Sequence, residues 1–222
     1  MICDDLKSIF PKYASTGYYK EVVTIVEPNS GAKVKKVTWT GSNFQYIEPA
    51  IVKDMTAFFR TTGTPAVFHS DCDGIILFQE GEKKYLFFSE LKSTFDSSDI
   101  YHAKDQIVSS FLKINMVMHL LPCYQKEDYI VKGFIFSHPP KKSYLIDLHK
   151  EHMMGSQSKY KTEADLVLDI CYYDNHIFRP IDFHCLKGLP IGGRGIFNQM
   201  ELYHIPVPDD QPDITLDVHC YI

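Results

Sequence analysis

The clearest pattern along the chain lies between residues 70 and 95, SDCDGIILFQEGEKKYLFFSELKSTF. Two short apolar runs flank a polar turn, and an acid stands at the outer end of each. Runs this continuously apolar, bounded by turn residues, predict strands buried on both faces. The simplest turn is centred on Gly81-Glu82, which makes the runs an antiparallel hairpin. Facing residues are then symmetrical about that centre, so Asp73 faces Glu90 and Asp71 faces Lys92. Opposed residues project from the same side of a sheet with Cβ atoms ~4.5–5.5 Å apart. Period-2 alternation keeps Glu90 and Lys92 on one face.

Patterns elsewhere predict a first helix near 3–10 and a hairpin from YYKEVVTIVEP and AKVKKVTWTG around PNSG. A helix over 48–63 presents Ile51, Met55, Phe58 and Phe59 and stops at a glycine. TPAVFHS reads as a short strand ahead of the central hairpin. A long amphipathic helix follows at about 99–120, with Asp99 as its cap and an inward stripe of Ile107, Val108, Phe111, Leu112, Asn115 and Met118. DYIVKGFIFSH (128–138) is another apolar strand. Residues 158–173 read as helix, KGLPIGGRG (187–195) as loop, and NQMELYHIPV and ITLDVHCYI as strands. The expected class is α/β (α+β mixed), a mixed central sheet flanked by helices. One domain spans 1–222, with a core at about 45–138, an N-terminal hairpin at 18–40 and C-terminal additions at 139–222.

Composition narrows the function classes. With 45% hydrophobic and 14% aromatic residues the chain can bury a sizeable core. No apolar run approaches the ~20 residues of a membrane span, and the N-terminus does not read as a secretory signal. Six cysteines without a CxxC pair exclude a zinc ribbon and point to free thiols in a reducing cytoplasm. A net charge of −5 and only three arginines exclude a protein that coats DNA, but not an enzyme with a small site.

Opposed like charges destabilise a sheet unless something neutralises them. A divalent cation does so, since hard oxygen ligands suit Mg²⁺ or Mn²⁺. Against this stands the plainer interpretation that Glu-x-Lys triplets are common. Glu82-Lys83-Lys84 is one with no function to assign, and an Asp71–Lys92 surface pair contributes ~0–1 kcal/mol.

Asp73 followed by Glu90-Leu91-Lys92, between a helix and a long helix, resembles the signature of the PD-(D/E)XK, or restriction-endonuclease-like, nucleases. The element order between about 45 and 137 is similar to that family's core. The resemblance implies Asp73 and Glu90 as metal ligands with the Leu91 carbonyl as a third, and Lys92 as the residue that positions or activates water. It further implies Glu48 as an extra acid, and Gln106 and Lys104 as substrate-backbone contacts. Two features depart from the pattern. Cys72 stands where many members carry proline, and Ser110 stands where the exonuclease branch carries tyrosine. The implied activity is Mg²⁺- or Mn²⁺-dependent hydrolysis of nucleic acid, with DNA as the expected substrate. Duplex cleavage would favour a homodimer.

Weaker features have ordinary explanations. His149 and His152 have a ligand spacing, but surface or core histidines explain them as well. Cys171 and Cys185 read as buried, inert thiols. LPIGGRG lacks the lysine and hydroxyl that end a nucleotide-binding loop, although Lys187 and Arg194 could touch a phosphate backbone. Two rival functions remain open: a non-catalytic nucleic-acid or protein-binding module of the same fold, and a hydrolase built on His184 and Cys185.

Overall fold

The 74–91 hairpin is apolar on both faces because it is covered on both. The computed structural model describes residues 2–61, 63, 66–153, 159–173 and 176–222. In chain order the elements are α1 (Ile2–Ile9), β1 (Gly17–Tyr19), β2 (Val22–Val26), β3 (Lys36–Thr40), β4 (Phe44–Ile47), α2 (Ala50–Thr61), β5 (Gly74–Glu80) and β6 (Lys83–Leu91). They continue with α3 (Ser97–Met118), β7 (Tyr129–Ser137), α4 (Lys142–Met153), α5 (Lys159–Cys171), β8 (Ile177–Phe178), β9 (Met200–Pro206) and β10 (Asp213–Asp217).

Seven strands form a mixed sheet in the order β1-β4-β5-β6-β7-β9-β8. The meander β4-β5-β6 is antiparallel, whereas β6, β7 and β9 run parallel, so the C-terminal ends of those three share one edge. A parallel neighbour needs a crossover, and α3 supplies it between β6 and β7. Ile75, Leu77, Leu86, Phe88 and Ile135 pack toward the helices, chiefly α3. Their sequence neighbours Ile76, Phe78, Phe87, Phe134 and Phe136 point the other way, onto a three-stranded sheet in the order β10-β3-β2. Trp39 of β3 fills the space between the sheets, with its ring centre 4.8 Å from Phe134 and 5.5 Å from Phe87.

Several expectations shift. TPAVFHS contributes a 3-10 turn at Ala66–Phe68 and no strand; Thr64 and Pro65 lie outside the described residues. Val67 is buried there and Phe68 stacks on Phe59, and periodicity cannot separate so short an apolar run from a helical turn. In α2, Ile51 and Phe59 face inward while Phe58 is exposed; the Met55 side chain lies outside the described residues. The cap of α3 is Asp96 and not Asp99: the Asp96 carboxylate accepts from Asp99 N–H, three residues on. The predicted inward stripe of α3 is buried, but so are Lys104, Ser109, Ser110 and Lys113, so this helix is enclosed nearly all round. The chain turns sharply at Glu21 (φ 60°), which sends β1 into the large sheet beside β4 and β2 into the small one. ITLDVHCYI is a strand only to Asp217, whose side chain then caps a 3-10 turn. Helix α4 was not anticipated, and most of the MMGSQS segment after it lies outside the described residues. No helix among the described residues is long and apolar enough to cross a membrane.

Candidate active site

The β5–β6 ladder runs from Gly74–Ser89 to Glu80–Lys83, with Gly81 (φ 59°) in the left-handed turn position, and this is the register the alternation predicts. Asp73 stands one residue beyond the ladder and is tied across it. Its N–H donates to the Ser89 carbonyl at 3.0 Å, and its Oδ2 accepts from Leu91 N–H at 2.7 Å. Glu90 and Lys92 continue the helix-facing alternation of Leu86 and Phe88. Lys92 N–H reaches the Phe136 carbonyl at 2.7 Å, which extends the parallel seam with β7 and holds the lysine in place. Its Nζ lies 2.8 Å from Glu90 Oε1 and donates to Gln106 Oε1 at 2.5 Å.

The expected Asp71–Lys92 contact does not form. Past Gly74 the chain leaves the ladder for α3, where Ser110 Oγ accepts from Cys72 N–H at 2.7 Å. Asp71 Oδ1 then meets Lys113 at 2.5 Å. Gln106 links the two branches, since its Nε2 donates to the Asp71 carbonyl at 2.9 Å.

Burial makes this cluster electrostatically uncomfortable. Glu90 is only 2% exposed, and its Oε2 has no hydrogen-bond partner among the described residues. Desolvation, followed by the Asp73 charge, pushes the Glu90 carboxyl well above the usual carboxylate range despite Lys92. Desolvation also raises Asp73 to about 6; the Leu91 N–H opposes this, while Glu27 adds to it. A cleft of about 460 Å³ opens onto Asp73 and Gln106. Val26 and Pro28 bound it from the small sheet, and Pro49, Ala50 and Lys53 from the start of α2.

Among the described residues, no group of three or more His, Cys, Asp or Glu side chains is arranged to hold a metal ion. The donors that fit a hard cation are therefore two carboxylates, Asp73 and Glu90, with the adjoining Leu91 main chain. An orphaned buried carboxylate oxygen, next to a second acid and served by one ammonium, is a site that a divalent cation would neutralise.

The other expected site residues lie further off. Glu48 stands between β4 and α2 rather than on the helix, and its Oε2 accepts from Ser15 N–H at 3.1 Å, toward the α1–β1 loop. Lys104 is buried, 2.5 Å from Asp105 and 3.6 Å over the Tyr101 ring. Lys187 and Arg194 are exposed. The Arg194 carbonyl accepts from Asn115, about two and a half turns along α3 from Gln106, toward the opposite end of the sheet. Of the four residues expected to touch nucleic acid, Gln106 is the one bonded into the acid–lysine cluster. The charge of Glu27, which helps to raise both Asp73 and Glu90, was not anticipated.

The weaker features take ordinary roles. His152 bonds Asp165 at 2.6 Å, and His149 stacks on Tyr172. Burial pushes the Cys171 and Cys185 thiols up to about 12, which leaves them poor nucleophiles; the His184 side chain lies outside the described residues. No protein-family model, curated protein or solved structure matches this chain.

Proposed function

We propose that the chain is a metal-dependent nuclease of restriction-endonuclease-like fold that hydrolyses phosphodiester bonds of DNA. The observation that carries this reading is the convergence of Asp73, Glu90 and Lys92 on one face, beside a cleft that Asp73 and Gln106 line, with a buried Glu90 oxygen unpaired. The helix, antiparallel hairpin, crossover helix and parallel strand that bear them accord with such a core. Asp73, Glu90 and the Leu91 carbonyl would hold Mg²⁺ or Mn²⁺, which when bound supplies charge neutralisation and an acidified water. Lys92, oriented by Gln106 and anchored through its backbone to β7, places a positive charge where a scissile phosphate would lie. Gln106 orients that lysine and contacts the substrate backbone from the cleft.

The Lys92–Glu90 ion pair also suits a non-catalytic binding module that keeps the fold, and one experiment separates the two readings. Purified chain is incubated with plasmid, single-stranded DNA and RNA in Mg²⁺, Mn²⁺ or EDTA. Cleavage should need the metal and prefer DNA. Lys92→Ala should lose about 100-fold or more, and Asp73→Asn should lose all measurable activity while remaining folded. Undiminished cleavage by Asp73→Asn would overturn the assignment, and metal-independent binding without cleavage would favour the binding module.

A further inference from the structure

The cleft beside Asp73 is walled from both faces of the large sheet. On one side the β2–β3 hairpin of the small sheet reaches around the end of β5. A Cβ on Gly74 would collide with the Ile25 side chain, so β2 crosses directly over the first residue of β5. Further along the hairpin, Lys33 N–H bonds Ser93 Oγ, just past Lys92, at 3.1 Å. On the other side stands the first turn of α2, where Lys53 N–H bonds the Pro49 carbonyl at 2.9 Å. The lining divides by chemistry. Val26, Pro28, Tyr46 and Pro49 supply apolar surface, whereas Lys53, Ser70, Asp73 and Gln106 supply charge and hydrogen-bonding groups. The first turn of α2 carries no acid and one exposed lysine, the reverse of what the helix dipole favours, so a bound anion suits it.

Resting on the reading that Asp73, Glu90 and Lys92 form a nuclease centre, we propose that its substrate is single-stranded DNA, one nucleotide of which enters this cleft. Its base packs on Tyr46 and the proline surfaces, and Lys53 meets its phosphate. Pockets of ~300–1,000 Å³ enclose one small molecule, so about 460 Å³ takes a single nucleotide and not a stack of paired bases. A duplex is a stiff rod with its bases inside, and it can offer the cleft a nucleotide only by unpairing and unstacking it. An unpaired strand already presents an apolar base face beside each phosphate, which is the division the lining shows. The small sheet is therefore one wall of the substrate site and not only a cover for the aromatic core.

The full chain in Mg²⁺ is given a labelled single strand of DNA, the same strand fully paired, and that duplex with an unpaired tail. The single strand should be cut about 100-fold faster than the paired form, and cuts in the tailed duplex should fall in the tail. Tyr46→Leu should raise KM for the single strand about 10-fold through lost stacking. Lys53→Ala should raise it about fivefold and lower its log–log salt slope by ~0.7. Neither should move kcat. Lys83→Ala, at the far turn of the β5–β6 hairpin, should change nothing. Lys53 is exposed, so its variant keeps the test sound should Tyr46→Leu fail to fold. If the paired duplex is cut as fast as the single strand, and cutting still needs Asp73, the single-strand assignment is overturned and the nuclease centre stands. Parental KM in folded Tyr46→Leu and Lys53→Ala would overturn the cleft as the seat of the strand. If the parent chain cuts no DNA, the nuclease reading falls and this one with it.

Discussion

Two lysine–carboxylate centres lie on the same sheet, on opposite faces, and they are built to different ends. Lys132 of β7 faces Glu201 of β9 at 2.5 Å and also donates to the Tyr221 carbonyl. Tyr203 O–H gives Glu201 a second bond at 2.5 Å. Burial tends to raise Glu201, but the Lys132 and Tyr203 bonds outweigh it and hold this carboxyl below the usual range. At Lys92 the composition is almost the same and the balance is reversed. Two acids share one ammonium, one oxygen has no partner, and both carboxyls are raised. At Glu201 one carboxylate oxygen takes both donors and the group stays partly in contact with solvent. At Glu90 one oxygen is buried with no bond at all among the described residues.

The largest effect that tests this contrast is Lys132→Ala. It strands Glu201, and urea unfolding should show a loss of about 3 kcal/mol, below that of a fully buried pair because Glu201 is a quarter exposed. Unchanged stability would put the two centres in one class.

Glu90→Gln should act in the opposite direction. Its amide can keep the Lys92 contact while removing a charge that burial disfavours, so the fold should gain stability at pH 7.5, read as a higher urea midpoint. The gain should shrink toward pH 4, where the wild-type carboxyl is protonated folded and unfolded alike. Asp73 follows the same sign: raised from 3.8 to about 6, its contribution is full below 3.8 and is lost as pH rises through 6. Asp73→Asn should therefore flatten the stability profile across that window. A loss of stability in Glu90→Gln at pH 7.5 would mean that Glu90 is a structural partner like Glu201.

The smallest effect is Tyr203→Phe, which removes one of the bonds to Glu201. It should cost about 1 kcal/mol and move the Glu201 carboxyl up toward its ordinary value, readable by NMR titration.

Local patterns made the β5–β6 hairpin legible. Gly81 marks the turn, two-residue alternation sets the faces, and together they place Asp73, Glu90 and Lys92 on one side. What stayed hidden depends on partners distant in the chain. Asp71 turns to Lys113 because the strand ends at Gly74, and nothing local signals that end. Glu27 was overlooked because an acid after a β-hairpin strand reads as solvated until Ile25 is seen lying over Gly74. Asp96 and Asp99 both suit a helix cap, and only the observed N–H geometry separates them.

The small sheet is closed by β10 running parallel to β3, with Thr40 Oγ1 bonded to the Leu216 carbonyl 176 residues away. Lys35 and Lys36, on the arm opposite Glu27, are secured by the Pro212 carbonyl. During synthesis the Asp73–Glu90 hairpin can form long before this seam exists, because closing so wide a loop is slow and entropically costly. A nascent chain would thus carry the acid pair before β10 has closed the small sheet over the end of β5.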